Sequence, residues 1–269
     1  MWHSIFAKRG GMSKVEEAAK ALRAVYAGAQ PIAPLRGMFD DPSVETAYAV
    51  QDVNTRIWVE EGRRITGRKI GLTSRAVQRQ LGVDQPDYGI LFQDMESENG
   101  GETAASSICQ PRIEGEIAFV LGTDIQSEEP SLQDIQNAIE YAVAAFEIVG
   151  SRIRNWDIGI FDTIADNASS GKYVLGDQRA MLDTLDLLNC QMTLEANGEV
   201  VSSGQGSACL GNPLLATQWL ARVMATAGRP LKAGDLVLSG ALGPFVGVEA
   251  GQTYDLKIDG LGAVRTSFV

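Results

Sequence analysis

Histidine is nearly absent from this chain: there is one in 269 residues, His3. A Ser-His-Asp triad, a Cys-His pair and a His-ligated zinc site each need a histidine in the folded core. A single one in the N-terminal tail comes close to excluding all three. Acid–base work then falls to Lys, Asp, Glu, Tyr or a metal-bound water. Cysteine is scarce too, and Cys109, Cys190 and Cys209 show no metal-ligand or redox spacing. No apolar run is long enough to span a bilayer. Positive charge is outweighed: the formal net charge of -11 argues against a nucleic-acid surface. No Gly-rich phosphate loop follows a strand and opens a helix, so nucleotide binding has no support. The start Trp2 to Ala7 is too short for a signal-peptide core, and Met12-Ser13-Lys14 reads as an alternative start, with residues 1–11 as an upstream extension. Together these features predict a protein of a reducing compartment, the cytoplasm.

What is present is 45% hydrophobic content, enough for one large domain or one domain with a small appendage. Ser13–Ala29 and Ser43–Arg64 read as amphipathic helices joined by the Pro-containing linker 30–35. They predict a helical N-terminal cap over 1–64, ahead of a strand-rich body over 65–269. Ile65–Leu72 reads as a strand, Thr73 or Ser74 as the cap of a short helix through Leu81, and Asp84–Gly89 as a loop. Ser131 predicts a helix start with Asp134 three residues on, running to about Ala145, followed by a strand to Ser151. Asp162–Ser170 reads as a polar loop and Gly171–Gly176 as a short strand. Asn197-Gly198 between two β-like runs predicts a hairpin. Pro213 and Gly228 bracket a helix. Short strands with Gly-containing turns fill the C-terminal part from Leu236 to Phe268. The fold class expected is α+β, with a mixed, mainly antiparallel sheet.

One stretch organises the chemistry: Ile113-Glu114-Gly115-Glu116-Ile117-Ala118-Phe119-Val120. As a strand it puts Glu114 and Glu116 on one face, which Ala118 and Val120 continue as apolar. Two carboxylates on such a face are costly unless something positive lies between them. A hard divalent cation held by oxygens meets that need. The alternative is an exposed edge strand with two solvated acids. Gly115 marks a place where a backbone or a ligand could approach closely. Glu147, flanked by Phe146 and Ile148, would make a third oxygen ligand, or else is a strand-edge acid. Lys69 sits mid-strand among small and apolar neighbours, either a proton shuttle or anion holder or a solvated lysine. Asp87, between Pro86 and Tyr88, is explained blandly by turn formation, as is the loop Asp166–Gly171.

Taken in order, these segments resemble a family. Gly67-Arg68-Lys69-Ile70-Gly71-Leu72-Thr73, Leu81-Gly82-Val83-Asp84-Gln85-Pro86-Asp87-Tyr88-Gly89 and Gln110–Ala118 carry the first half of the likeness. Glu147–Ile153, Asp162-Thr163-Ile164-Ala165-Asp166-Asn167-Ala168-Ser169 and Leu238-Ser239-Gly240-Ala241-Leu242-Gly243-Pro244 carry the second. The chain is similar, from about Ala33 to its end, to the 2-keto-4-pentenoate hydratases of the fumarylacetoacetate hydrolase superfamily. The resemblance implies Mg²⁺ or Mn²⁺ held by Glu114, Glu116 and Glu147, and Lys69 and Asp87 as acid–base or substrate-orienting residues. It implies Leu72, Ser169 and Ser239 as substrate contacts. It implies a β-sheet roll, a homo-oligomer built on pentamers, and a small 2-oxo or 2-hydroxy dienoate substrate from the meta-cleavage breakdown of aromatic compounds. Association with a neighbouring pathway enzyme is compatible with it.

Three rival readings stand beside this one. Metal-dependent decarboxylation of a 2-oxo-3-hexenedioate uses the same enolate stabilisation and would want an extra cation, for which Arg68, Arg112, Arg152 and Arg154 are near motif positions. Hydrolytic C–C cleavage of a β-diketone acid, in this superfamily, relies on a histidine that the body of this chain lacks. A non-catalytic partner subunit is the third, and the presence of all three glutamates counts against it.

Overall fold

The computed structural model describes residues 12–74, 78 and 85–269. Helix α1 (Lys14–Tyr26) starts where Ser13 accepts from the Glu16 N–H and Glu16 accepts in return from the Ser13 N–H, a reciprocal cap. Helix α2 (Val44–Glu60) is capped by Ser43, whose hydroxyl accepts from the Thr46 N–H. Strands β1 (Ile65–Gly71) and β2 (Asp87–Phe92) follow, then two short strands, β3 (Glu96–Ser97) and β4 (Glu102–Thr103). The long strand β5 (Arg112–Leu121) leads into helix α3 (Leu132–Ala138) and strand β6 (Ile139–Val149). Helix α4 (Ile160–Ala165), strand β7 (Lys172–Leu175) and the hairpin β8 (Gln191–Ala196) and β9 (Glu199–Gln205) come next. Helix α5 (Pro213–Thr226) precedes strands β10 (Leu236–Ala241), β11 (Val246–Gly247), β12 (Thr253–Ile258) and β13 (Gly262–Phe268).

The strands form two sheets. One has eight strands in the order β2-β1-β10-β5-β6-β7-β3, with β11 also on β5; the other has five, in the order β4-β13-β12-β8-β9. The pairs β1/β10, β3/β7 and β4/β13 are parallel and the remainder antiparallel. The mixed, mainly antiparallel α+β architecture is the one expected. The core lies between the sheets, where Ile113, Ile117, Phe119 and Phe146 meet Met192, Leu194, Leu256 and Val264. A second cluster joins the N-terminal helices to the body: Ala18, Ala19, Leu22, Ala47 and Val50 pack on Ile153, Phe161, Ile164 and Ala165. No helix among the described residues is long and apolar enough to cross a membrane.

Several local expectations hold. Asn197 and Gly198 take φ of 49° and 86° and close the β8–β9 hairpin. Asn212 accepts from the Leu214 N–H at the start of α5, and Gly228 ends it at φ 70°. Others are corrected. Ser131 caps α3 with Asp134 as expected, but the helix stops at Ala138 and not near Ala145. The apolar run from Ile139 instead pairs with β5 along its length, and sheet pairing overrides helix propensity there. Asp87 does not sit in a loop; it opens β2, in register with Gly71 of β1. Asp162–Ser170 is not a plain loop: its first part is α4 and its second a tight turn with Asn167, Ala168 and Ser169 all left-handed. The helix expected from Thr73 or Ser74 through Leu81 falls for the most part outside the described residues.

Candidate metal centre

β5 lies inside its sheet, with β10 and β11 bonded to one edge and β6 to the other. The reading of Glu114 and Glu116 as solvated acids on an edge strand is therefore overturned. The β5–β6 register places Glu147 directly opposite Glu114, so side-chain alternation brings all three acids to one face. One oxygen from each of Glu114, Glu116 and Glu147 lies within 4.8 Å of the other two, and all three residues are buried. Gly115 faces the other way. A Cβ there would sit 2.5 Å from Leu256 Cδ1, so what approaches Gly115 is the second sheet and not a ligand.

Lys69 and Asp87 arrive from the neighbouring strands. Lys69 Nζ lies 3.0 Å from Glu147 Oε2, an ion pair by distance that lacks the alignment of a hydrogen bond. Asp87 folds over Gly71 so closely that any β-carbon at 71 would collide with its carboxylate, and the same β-carbon would lie 3.5 Å from Lys69 Nζ. Both Asp87 oxygens are buried without a hydrogen-bond partner among the described residues. The cap helps hold this strand: Tyr48 of α2 stacks on Tyr88 and accepts from the Tyr88 N–H, and Gln51 donates to the Tyr88 carbonyl.

The charges on this face strain one another. Burial pushes Glu114 up to about 8, helped by the Glu147 charge. Burial and then the Glu147 and Glu114 charges drive Glu116 well above the usual carboxylate range, against a 2.8 Å hydrogen bond from the Gly240 N–H. Burial alone would lower Lys69, but the charges of Glu147, Glu114, Asp87 and Glu116 outweigh it and hold the ammonium above its ordinary value. Asp87 is pushed up by burial to about 6, with Lys69 and the Thr163 hydroxyl pulling it part of the way back. Glu116 Oε1 and Glu147 Oε1 have no hydrogen-bond partner among the described residues. Orphaned buried carboxylate oxygens converging on one point are a donor set for a hard divalent cation.

The structure also places the residues expected to touch substrate. Ser239 is fully buried on β10 with its hydroxyl unpartnered among the described residues. The register slips between Leu238 and Ala241, and that irregularity turns the Gly240 N–H onto Glu116. Gly240 itself has φ 114°, and a β-carbon there would strike Thr73. Ser169 is buried with its hydroxyl 3.4 Å from that of Thr163, the residue beside Asp87. Asn167 clamps this turn to β2, accepting from the Ile90 N–H at 2.7 Å and donating to its carbonyl at 2.9 Å. Leu72 follows the end of β1, half-buried with φ 56°. Thr163, Gly71, Gly240 and Asn167 were not singled out from sequence. Each stands inside a motif already noted, but its role rests on a cross-strand neighbour that residue type does not name.

The family model for the fumarylacetoacetate (FAA) hydrolase C-terminal domain matches residues 69–269. The chain is 53% identical to "2-keto-4-pentenoate hydratase 2" of Dechloromonas aromatica (strain RCB), over 94% of this chain and 97% of that protein. It is 54% identical to the "TodF product hydratase" of Pseudomonas putida (strain F1), over 94% of this chain and 95% of that one. Among solved structures, 4-oxalocrotonate decarboxylase from Pseudomonas putida G7, complexed with magnesium and adipate, superposes with TM-score 0.92 at 31% identity. That likeness covers 97% of this chain and 100% of the other. The chain belongs to the fumarylacetoacetate hydrolase family, and within it stands beside the 2-keto-4-pentenoate hydratases.

Proposed function

We propose that the chain is a hydro-lyase that adds water to 2-hydroxypenta-2,4-dienoate and gives 4-hydroxy-2-oxopentanoate. The observation that carries this reading is the buried Glu114–Glu116–Glu147 cluster with Lys69 and Asp87 against it, in a chain more than half identical to hydratases. Glu114, Glu116 and Glu147 would hold Mg²⁺ or Mn²⁺. When bound, the ion supplies Lewis-acid polarisation to a substrate that presents a carboxylate and an adjacent oxygen.

This chain's residues then divide the proton work. The dienol loses its 2-hydroxyl proton as it takes one at C5, water then adds at C4, and C3 is protonated, so that one water is gained overall. Lys69, kept cationic by the surrounding acids, orients the anionic end of the substrate and donates a proton. Asp87, poised near 6, accepts the proton of the attacking water and returns it. Ser169 and Ser239 offer buried hydroxyls to the substrate's polar atoms, and Leu72 covers its apolar side.

Among the described residues, the four arginines that the decarboxylase reading would draw on are engaged elsewhere or turned away. Arg152 is tied to Asp166 at 2.6 Å, Arg68 points away from Lys69 by strand alternation, Arg154 is exposed, and Arg112 lies between the rings of Trp156 and Phe245. The structural relative bearing that name is only 31% identical. A homo-oligomer, in the cytoplasm, completes the proposal, and light scattering of the purified protein tests the assembly.

The deciding experiment mixes chelator-treated protein with fresh 2-hydroxypenta-2,4-dienoate and follows the dienol absorbance with and without Mg²⁺ or Mn²⁺. Metal-dependent loss to a product heavier by one water is the expected result. Inertness here, with CO₂ release from 2-oxo-3-hexenedioate, would transfer the assignment to the decarboxylase.

A further inference from the structure

We propose that Tyr48 and Gln51, on helix α2, are positioning residues: they fix the place of β2 and, through it, of the Asp87 carboxylate. The N-terminal cap then takes part in turnover by acting through Asp87. This rests on the hydratase reading and on the part given there to Asp87.

The argument starts at the edge of the sheet. β2 is the last strand at one end of the eight-stranded sheet, with β1 on its inner side. An outer edge leaves backbone N–H and C=O groups to be satisfied by something other than a strand. Side chains do that here. The Tyr88 N–H donates to the Tyr48 hydroxyl at 3.2 Å, and its carbonyl accepts from Gln51 Nε2 at 3.0 Å. Two residues on, Ile90 is held by Asn167 at both backbone groups. Tyr48 and Gln51 are three residues apart, so one face of α2 presents both. The Tyr48 ring also stacks on that of Tyr88, with centroids 4.5 Å apart.

Asp87 precedes the residue so held. Neither of its carboxylate oxygens has a hydrogen-bond partner among the described residues, so the backbone it hangs from sets its place over Gly71. Gln51 does more than close an edge. It is fully buried, and the same Nε2 donates to the Ile164 carbonyl of α4 at 3.0 Å. One amide therefore ties the strand that carries Asp87 to the helix that carries Thr163. Both partners are carbonyls, so the position needs a two-donor side chain. Packing alone would be met by an apolar residue with less desolvation cost, and Gln51 Oε1 has no partner among the described residues.

Two variants test this. Gln51→Met removes both donors at similar volume. Tyr48→Phe keeps the stacked ring and removes only the acceptor, so it decides the matter if Gln51→Met fails to fold. Hydrogen exchange read by mass spectrometry tests the clamp without substrate: the peptide covering 87–92 should exchange faster in each variant, with that covering 113–120 unchanged. Unchanged exchange over 87–92 would overturn the proposal. Kinetics with Mg²⁺ and 2-hydroxypenta-2,4-dienoate test the consequence. Gln51→Met should lose about tenfold in kcat and Tyr48→Phe less, with KM and Mg²⁺ affinity unchanged, because a displaced catalytic group costs on that scale. In an Asp87→Asn background the same substitutions should lower kcat no further, since they act through that carboxylate. Equal losses in both backgrounds, or full kcat in the folded variants, would overturn the proposal and leave Asp87 its part. Full turnover by Asp87→Asn would instead remove Asp87 from the mechanism, and the proposal with it.

Discussion

Glu116 shows how much a single residue depends on its surroundings. It is fully buried, keeps one oxygen on the Gly240 N–H and leaves the other unpartnered among the described residues. Glu116→Gln preserves shape and removes the charge, so the protein should fold while Mg²⁺ affinity drops at least about 100-fold, as calorimetry would show. Retained affinity would remove Glu116 from the ligand set. Lys69→Met should lower turnover by about 10²–10⁴-fold while metal binding persists, because a positioned proton donor contributes on that scale. A variant with normal turnover would end the role given to Lys69. The acids also set a pH dependence. The Glu114 carboxyl is raised from 4.5 to about 8 in the folded chain, so the folded state holds more protons than the unfolded one between those values. Stability of the metal-free protein should therefore fall as pH rises from about 4.5 through about 8. Thermal melts in chelator at pH 5, 6.5 and 8 check the sign, and a melting temperature that rises across this range would contradict it.

At the scale of elements, the site exists because β5, β6, β1 and β10 meet in one register. The opposite face of β5 is fixed by the second sheet. Gly115→Ala should push into Leu256 and cost about 1–3 kcal/mol by overpacking, whereas Leu256→Ala should cost about 2–5 kcal/mol through the cavity it leaves. Combined, they should cost less than the sum of the two, since one change fills what the other empties. Denaturant unfolding of the three variants measures this, and strict additivity would mean that the two sites do not touch. The elements themselves were legible to different degrees. Caps and turns such as Ser13, Ser131, Asn197-Gly198 and Asn212-Pro213 act within a few residues, so they are readable from local chemistry. The end of α3 and the strand start at Asp87 were not, because both are set by pairing with partners distant in the chain.

For the whole molecule, the buried acids and their counter-ion link metal binding to folding. An ion that binds only the folded chain should raise stability by about 2.7 kcal/mol at a hundredfold excess over its dissociation constant. The gain should be larger at pH 8 than at pH 5, where protons compete for the same oxygens. Melting curves with and without Mg²⁺ at the two pH values test this, and an equal gain at both would separate the ion from the cluster.

By itself the sequence determined the chemistry on offer: no histidine in its body, a Glu-x-Glu strand, a third acid at Glu147, and ordered motifs that match one family. Such features are properties of residue type and near spacing, which survive without coordinates. Only the tertiary structure decided that Glu147 faces Glu114, that Lys69 and Asp87 join them, and that Gly115 belongs to the core. Those are matters of register and packing between segments far apart in the chain. A one-residue slip in either ladder would turn the same side chains to the other face, and no local pattern records that choice.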